Sequence, residues 1–371
     1  MIGSVLLIPL ILSSLVASAP APTSVSPTYP SPTSLSSVPS GGIALDATPI
    51  YNATTDFDYE SLQLVLHQEY IELDLFHNGL ARFSAEDFEA EGLNAQDRFL
   101  IEHMADQEVG HATMVSNIIG ERAAKQCSYS YPYTNVREFI DFCQKLTRWG
   151  EAGVYGFLEH LNNRASANLL LQSITTEARQ QMSFRQFEGL FPYPEWFTTG
   201  ITQSMTWTLL APYITSCPEG NPHLKWTNFP ALNITNDPTQ FALSSDKKPA
   251  ISSNVSSLTA PGYEVHFVWD CPCKSVGPNN TYITKSMATG PPKFAAWIAQ
   301  LNVTYTELYN VSGNSAYTIQ PTGGVFGPNS ATVVNGTQFV LLTDSNPYIT
   351  PANMSYLDAH VVAGPAVYQA D

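Results

Sequence analysis

Apolar residues recur at spacings of three and four in four segments between residues 56 and 213, which is the repeat of amphipathic helices. The four stripes contain, in order, Leu62, Leu66, Leu73, Phe76 and Leu80; Ile101, Met104, Val115 and Ile118; Val136, Ile140, Cys143, Thr147, Val154, Leu158 and Leu161; and Leu170, Ile174, Phe184 and Phe187. Short connections are expected at 84–93 and near Asn163. This pattern predicts an antiparallel four-helix bundle.

The pattern changes to alternation beyond Cys217. Val265, Phe267 and Trp269 alternate with Glu264, His266 and Val268, and apolar runs such as 338–342 are separated by Gly, Pro and Asn clusters. Short alternating segments bounded by turn residues are typical of a β-sandwich. The predicted fold class is therefore α+β and multidomain, with a four-helix bundle followed by a C-terminal β-sandwich-like domain.

The two ends of this pattern set the predicted borders. Residues 1–19 hold an uncharged apolar run and a small-residue exit, which indicates a secretory signal peptide with an undefined cleavage site. Residues 20–55 are a Pro/Ser/Thr-rich stalk. The bundle then covers 56–217, a connector covers 218–260, and the β-sandwich-like domain covers 261–371. We expect a secreted protein, either extracellular or in the cell wall.

Composition narrows the classes of partner. The chain carries eight Arg and eight Lys against 32 acidic residues, for a net charge of −16. Nucleic-acid binding needs clustered basic charge, so no nucleic-acid partner is expected. No apolar run after the signal approaches the roughly 20 residues of a spanning helix, so no membrane span is expected either. A cell-wall component or glycan is the expected kind of partner, and the oligomeric state stays open.

Sequons and cysteines agree with an exported chain. Asn-x-Ser/Thr sequences, which are N-glycosylation acceptors, occur at Asn52, Asn233, Asn254, Asn279, Asn302, Asn310, Asn335 and Asn353. Of the five cysteines, Cys127 and Cys217 follow helices in loops and are our disulfide candidates. Cys143 lies on the third apolar stripe, so we expect a buried free thiol. Cys271 and Cys273 are expected in disulfides, although such close neighbours seldom pair with each other.

Each apolar stripe contains a carboxylate where an apolar residue is expected. These residues are Glu69, Glu108, Glu151 and Glu177, one in each helix. A buried ionised carboxylate is costly unless it is paired or coordinated. At 1.5 Å rise per residue, the hairpin lengths bring the paired carboxylates to within about one turn of each other. The pattern therefore predicts one cluster of carboxylates in the bundle core.

Glu108-Val-Gly-His111 adds an E-x-x-H motif, and such motifs combine with single Glu residues in dinuclear carboxylate sites of four-helix bundles. On these residues, the helical segment resembles the ferritin-like superfamily. The longer layout, with a signal, a bundle, the stretch from Arg185 to Pro192 and a β tail, resembles the fungal secreted ferritin-like proteins described as stress-response or late sexual development proteins.

The resemblance implies metal ligation by Glu69, Glu108, His111, Glu151 and Glu177. The sixth position is Gln180, where the superfamily pattern has a second histidine, and a Gln carbonyl is a weaker donor for a transition metal than imidazole. Three outcomes stay open: two Fe or Mn ions, one ion, or no metal, with the carboxylates protonated or paired with Arg148 or Arg179.

Two functions follow from these outcomes. The first is redox chemistry on peroxide or dioxygen at a degenerate dinuclear carboxylate site, as the resemblance implies, in a secreted stress- or development-associated protein. The alternative is a non-catalytic extracellular or cell-wall glycoprotein that uses the bundle as a scaffold. No catalytic residue is assigned, and the protein is an enzyme only in the first case.

Overall fold

Four long helices follow the predicted apolar stripes, but the third of them ends at Tyr155, before Leu158 and Leu161 of its stripe, and a short helix occupies the predicted connection at 84–93. The structure, a computed structural model, describes residues 50–239, 248–251, 256–327 and 329–371. The predicted signal peptide, most of the stalk and the sequon at Asn254 lie outside the described residues. The helices are α1 (Asp56–Arg82), α2 (Ala85–Ala90), α3 (Ala95–Ile119), α4 (Val136–Tyr155), α5 (Arg164–Phe187) and α6 (Gln203–Leu210).

Side-chain caps define the helix starts. Asn94 accepts from the main-chain N–H groups of Gln96 and Asp97, and the Asp97 carboxylate accepts in return from the Asn94 main chain, which completes a capping box. Asn135 caps α4 and Asn163 caps α5, because their side-chain oxygens accept from main-chain N–H groups of the first helical turn. The capping residues next to each start therefore determine where these helices begin.

Asp58 connects the start of α1 to the turn between α4 and α5. Its two carboxylate oxygens accept from the main-chain N–H groups of Asn162 and Asn163, at 2.9 and 3.1 Å. The hydroxyls of Thr54 and Thr55 also donate to it. Burial opposes ionisation, but these hydrogen bonds favour the charged form, and the net effect lowers the pKa of Asp58. This one carboxylate aligns the ends of two hairpins.

Two four-stranded antiparallel sheets follow the helices, in the strand orders β3-β4-β10-β9 and β12-β11-β7-β8. Two two-stranded ladders, β1-β2 and β5-β6, complete the described strands. The strands are β1 (Ser128–Tyr129), β2 (Ile214–Ser216), β3 (Leu232–Ile234), β4 (Glu264–Trp269), β5 (Ser275–Val276), β6 (Tyr282–Ile283), β7 (Phe294–Ala299), β8 (Asn302–Glu307), β9 (Tyr309–Ser312), β10 (Ser315–Ile319), β11 (Thr337–Thr343) and β12 (Val361–Gln369).

The second sheet is covered on both faces. Val340 and Leu342 of β11 pack with residues of the first sheet, whereas Phe339 and Leu341 belong to the apolar core that includes the helices. Every residue of β11 is buried. A strand covered on both faces needs a continuous apolar run rather than alternation, which explains why 338–342 does not alternate. The layers are thus helices, the second sheet and the first sheet.

Polar contacts fasten the helices to β11 at Thr337. Arg148 of α4 donates through Nε to the Thr337 main-chain carbonyl at 3.0 Å, and Gln144 donates to the Thr337 hydroxyl at 2.6 Å. Arg185 of α5 contacts the same hydroxyl at 3.4 Å and also donates to Asp371. Both guanidinium groups are buried. Burying two cations is costly without such partners, so these contacts fix where the sheet lies on the bundle.

The predicted α+β class, helices first and antiparallel sheets after, is confirmed. The fold also joins these parts closely, because the described residues from 50 to 371 belong to one compact unit and the largest core cluster contains residues of both parts. The segment 232–234, inside the predicted connector, is the edge strand β3 of the first sheet. Among the described helices, none has the length and apolar character needed to cross a bilayer.

Replacing Asp58 by Asn is expected to lower the free energy of unfolding at pH 7 by about 1–3 kcal/mol, because a charged acceptor of two partly buried main-chain hydrogen bonds is lost. The folded-state pKa lies below the unfolded value of about 3.9. The wild-type advantage is therefore complete above about pH 4 and is lost as the pH falls through the folded pKa. Urea denaturation at pH 7 and pH 3 measures both effects.

The matched control is Asp56→Asn, which changes an exposed acid in the same helical turn. It should change stability by less than about 0.5 kcal/mol. Equal effects of the two variants, or a loss in Asp58→Asn that is as large at pH 3 as at pH 7, would contradict this role for Asp58.

Candidate metal centre

Three helices bring four predicted ligands together in the bundle core. They are Glu69 of α1, Glu108 and His111 of α3, and Glu177 of α5, and one ligand atom from each lies within 4.8 Å of all the others. The His111 Nδ1 atom lies 2.9 Å from Glu108 Oε2, 3.4 Å from Glu69 Oε2 and 4.0 Å from Glu177 Oε1. The three carboxylates are buried. The sequence correctly placed these four side chains in one cluster.

The local sequence explains how His111 faces the carboxylates. Residues three apart lie on one face of a helix, so Glu108 and His111 point the same way. Thr176 Oγ1 donates to the Ser173 carbonyl at 2.7 Å and lies 3.1 Å from His111 Nε2. Because that hydroxyl proton is already used, Thr176 accepts from Nε2–H. His111 Nδ1 is then the ring nitrogen that faces the cluster, and it can carry a lone pair.

Glu151 of α4, the fourth predicted carboxylate, lies apart from this cluster. Its Oε2 pairs with Arg148 Nη1 at 3.5 Å. Arg148 lies one turn earlier on the same helix and is buried, so it requires a nearby anion. Burial raises the pKa of Glu151, Arg148 opposes the rise and Glu195 adds to it, with a result of about 7. The implied ligand from α4 thus serves a structural cation.

Gln180 enters the site as a hydrogen-bond donor. Its Nε2 lies 2.6 Å from Glu108 Oε1 and 3.1 Å from Gln107 Oε1. This orientation follows from chemistry, since a carboxylate can only accept and therefore faces the amide nitrogen. Both oxygens of Glu108 are engaged, one by Gln180 and the other by His111. At the position where the superfamily pattern has a second histidine, this chain has Gln180, which orients the Glu108 carboxylate.

Glu72, which the sequence pattern did not single out, is a further carboxylate of the core. It lies one turn after Glu69 on α1, has no exposed surface, and accepts through Oε1 from Gln68 Nε2 at 2.9 Å. A Cβ at Gly150 would lie only 2.6 Å from that Gln68 nitrogen. Gly150 therefore gives Gln68 the room to orient Glu72.

Glu72 could have been identified from α1 itself, because this helix is buried on most of its surface. Helices α3, α4 and α6 all contact α1, so it is buried around most of its circumference instead of along one stripe. An uninterrupted buried run from 60 to 69 is the sign of this environment. Had α1 been identified as the central helix, Glu72 would have joined the candidate list.

The electrostatics of the cluster favour a cation. Burial, and then the other carboxylates, raise the pKa values of Glu69, Glu72 and Glu177 well above the usual range. Burial lowers the pKa of His111, but hydrogen bonds to Glu108 and Glu69 outweigh it and raise the value to about 12. In the absence of a metal, protons and an imidazolium must balance the acids. A divalent cation can take their place.

The cysteines divide as follows. Cys127 and Cys217, the two disulfide candidates, are joined by a disulfide. Cys143 is a buried free thiol, as its stripe position suggested, and burial raises its pKa. Cys271 and Cys273, which we expected in disulfides, are instead exposed and free.

The sequons divide between exposed and engaged asparagines. Asn52, Asn233, Asn279, Asn302 and Asn310 are exposed. Asn335 donates to the Pro194 carbonyl, and Thr337 of its sequon is buried. Asn353 accepts from Thr350 N–H and donates to the Tyr348 carbonyl. The engaged pair is therefore poorly placed to carry glycans, whereas the five exposed asparagines are accessible.

The comparisons with known proteins agree with this geometry. The profile of the ferritin-like domain family matches residues 57–189, which include all of the clustered ligands. Protein rds1 of Schizosaccharomyces pombe is 49% identical over 344 residues, which cover 89% of this chain and 85% of the yeast protein. The chain belongs to the ferritin-like family. The similarity of this ferritin-like protein to Protein rds1 covers 89% of the chain, so it extends beyond residue 189 into the segment that forms the sheets.

In the metal-free protein, Glu177→Gln is expected to raise the free energy of unfolding by about 1 kcal/mol, since it removes one buried acid from a crowded cluster. The exposed Glu102→Gln on α3 serves as the control and should have little effect. Chemical denaturation in the presence of a chelator measures both. Destabilisation by Glu177→Gln would show that the carboxylates stabilise the fold directly.

Proposed function

We propose that this ferritin-like protein is exported and holds one redox-active Fe or Mn ion among Glu69, Glu108, His111 and Glu177. The observation that carries the proposal is the set of four ligand atoms that lie within 4.8 Å of one another. Three carboxylates and an imidazole are suitable donors for these ions. When bound, such an ion supplies electron transfer to a small oxygen species such as peroxide or dioxygen.

The buried polar atoms of the cluster fit a cation. Within the described residues, Glu72 Oε2 and Glu177 Oε2 have no hydrogen-bond partner although both are shielded from solvent. A buried carboxylate oxygen without a donor is unfavourable. A metal ion, or a proton on each acid, would relieve this. Glu72 is the nearest candidate for an additional carboxylate, and Gln68 orients it.

Two contacts favour one ion over two. Arg148 engages Glu151 at 3.5 Å, and the nitrogen of Gln180 is used by Glu108 at 2.6 Å. Glu151, which is implied for the second half of a dinuclear site, is therefore paired with a cation. Gln180 is held by Glu108 through its nitrogen, and its carbonyl oxygen is a weaker ligand than imidazole. His111, with Thr176 behind it, and Glu108, with Gln180 behind it, are the most firmly oriented pair, so they define the half that is retained.

Export is supported by features outside the core. The uncharged apolar segment at 1–19 has the pattern of a signal peptide. The Cys127–Cys217 disulfide suits an oxidising compartment. Of the exposed sequons, Asn233 lies on β3, Asn302 on β8 and Asn310 on β9, which are edge strands of the two sheets. Glycans there would cover strand edges that could otherwise pair with other chains.

The alternative function is that of a non-catalytic cell-wall glycoprotein. Its specific support is the same pair of contacts, because a lost second half-site is also what a relic would show. In that case the cluster stays protonated and binds no metal. Metal content separates the two functions.

Protein produced by a fungal host in metal-replete medium is expected to contain about one Fe or Mn per chain, measured by elemental analysis. Glu108→Ala should reduce this to near zero, because it removes the carboxylate closest to His111. Glu151→Gln should leave the ratio unchanged. Glu72→Gln should weaken retention of the metal ion during dialysis against a chelator if a Glu72 oxygen binds the ion.

Thermal unfolding of each variant, measured by circular dichroism without metal, controls for loss of fold. A ratio near zero in wild-type protein after reconstitution would favour the scaffold function. A ratio near two that falls to one in Glu151→Gln would show that Glu151 leaves Arg148 to complete a dinuclear site.

A further inference from the structure

A cavity lies at the junction of α4, α5 and the segment 192–198, on the side of α4 where Glu151 meets Arg148. Its volume is about 180 Å³. Its lining combines buried charges with exposed aromatic rings: Arg148, Glu151, Ala178, Arg179, Gln181, Met182, Pro192, Tyr193, Glu195, Trp196 and Thr198. The metal centre does not use this lining.

The floor of the cavity offers donors without partners. Arg148 Nη2 and Gln181 Nε2 are buried nitrogens, and no described residue accepts a hydrogen bond from either. Both side chains are more than nine-tenths buried and line the cavity. An unsatisfied buried donor is rare and calls for a partner. A ligand with hydroxyl oxygens would provide one.

The charges of the floor select a neutral ligand. The Arg148 guanidinium lies 3.5 Å from a Glu151 oxygen and 3.9 Å from a Glu195 oxygen. An anion that approaches Arg148 would meet two carboxylates, and a cation would meet Arg148 and Arg179. Either kind of ion would lose hydration without a matching counter-charge. Hydroxyl groups, which both donate and accept, suit this mixture of donors and acceptors.

The rim adds aromatic surface. Tyr193 and Trp196 are 66% and 54% exposed, and Trp196 contacts Phe326, which is 67% exposed, at a centroid distance of 5.8 Å. These rings therefore face solvent instead of the core. The faces of aromatic rings carry partial negative charge and attract C–H groups. Exposed clusters of this kind mark binding sites.

We propose that this cavity binds one neutral sugar ring, with C–H groups against Trp196 and Tyr193 and hydroxyls toward Arg148, Gln181 and the glutamates. A pyranose combines these two surfaces in a molecule of suitable size. The proposal does not depend on metal binding, because neither Trp196 nor Gln181 belongs to the metal cluster. The ferritin-like protein would then carry a saccharide site beside its bundle.

Calorimetric titration of the full-length protein with methyl glucoside, methyl mannoside and N-acetylglucosamine tests the proposal. At least one probe should show saturable binding. Trp196→Ala should weaken it by roughly tenfold, the effect of losing one aromatic contact. Tyr356→Ala removes a comparably exposed ring that does not line the cavity and should leave affinity unchanged.

Gln181→Leu provides a second variant, because it removes a buried donor without adding charge and should also weaken binding. Circular dichroism confirms that each variant is folded. The proposal is overturned if none of the three sugars binds at millimolar concentration, if Trp196→Ala binds as well as wild type, or if only charged probes such as aspartate or lysine bind.

Discussion

The buried guanidinium of Arg148 connects three parts of this structure. A cation inside a protein must be surrounded by acceptors, and Arg148 finds them in three places. It bonds the Thr337 carbonyl of the second sheet, pairs with Glu151 of its own helix and approaches Glu195 of the following segment. The first contact sets the position of the sheet, the second removes a carboxylate from the bundle centre, and the third forms the floor of the side cavity.

The candidate metal centre consists of the side chains that remain in the bundle core once Glu151 has paired with Arg148. Glu69, Glu108, His111 and Glu177 stay together in the core, and Glu72 lies buried one turn away on α1. Gln180 bonds to Glu108 and Thr176 supports His111, so the half of the site on α3 is oriented from two sides. The ferritin-like arrangement is thereby retained on one side and converted into a structural ion pair on the other. This division is the basis for proposing a single-ion centre.

Periodicity was sufficient to predict the four long helices and the clustering of four ligands, because these depend on local spacing. The same reasoning placed Glu151 with the other carboxylates, since helical phase gives the face of a residue but not its partner. Glu151 pairs with Arg148 instead, because Thr337, nearly two hundred residues away in sequence, helps to bury Arg148. The role of Glu72 was missed for a related reason. The neighbours that surround α1, and the space that Gly150 leaves for Gln68, become visible only in the folded structure.

The most direct test of this account is the anomalous diffraction of crystals of the wild-type protein soaked in Mn²⁺, measured at the manganese absorption edge. The account predicts one strong peak among Glu69, Glu108, His111 and Glu177, with Glu151 still against Arg148. Two peaks bridged by Glu151, or no peak in the bundle core, would contradict it.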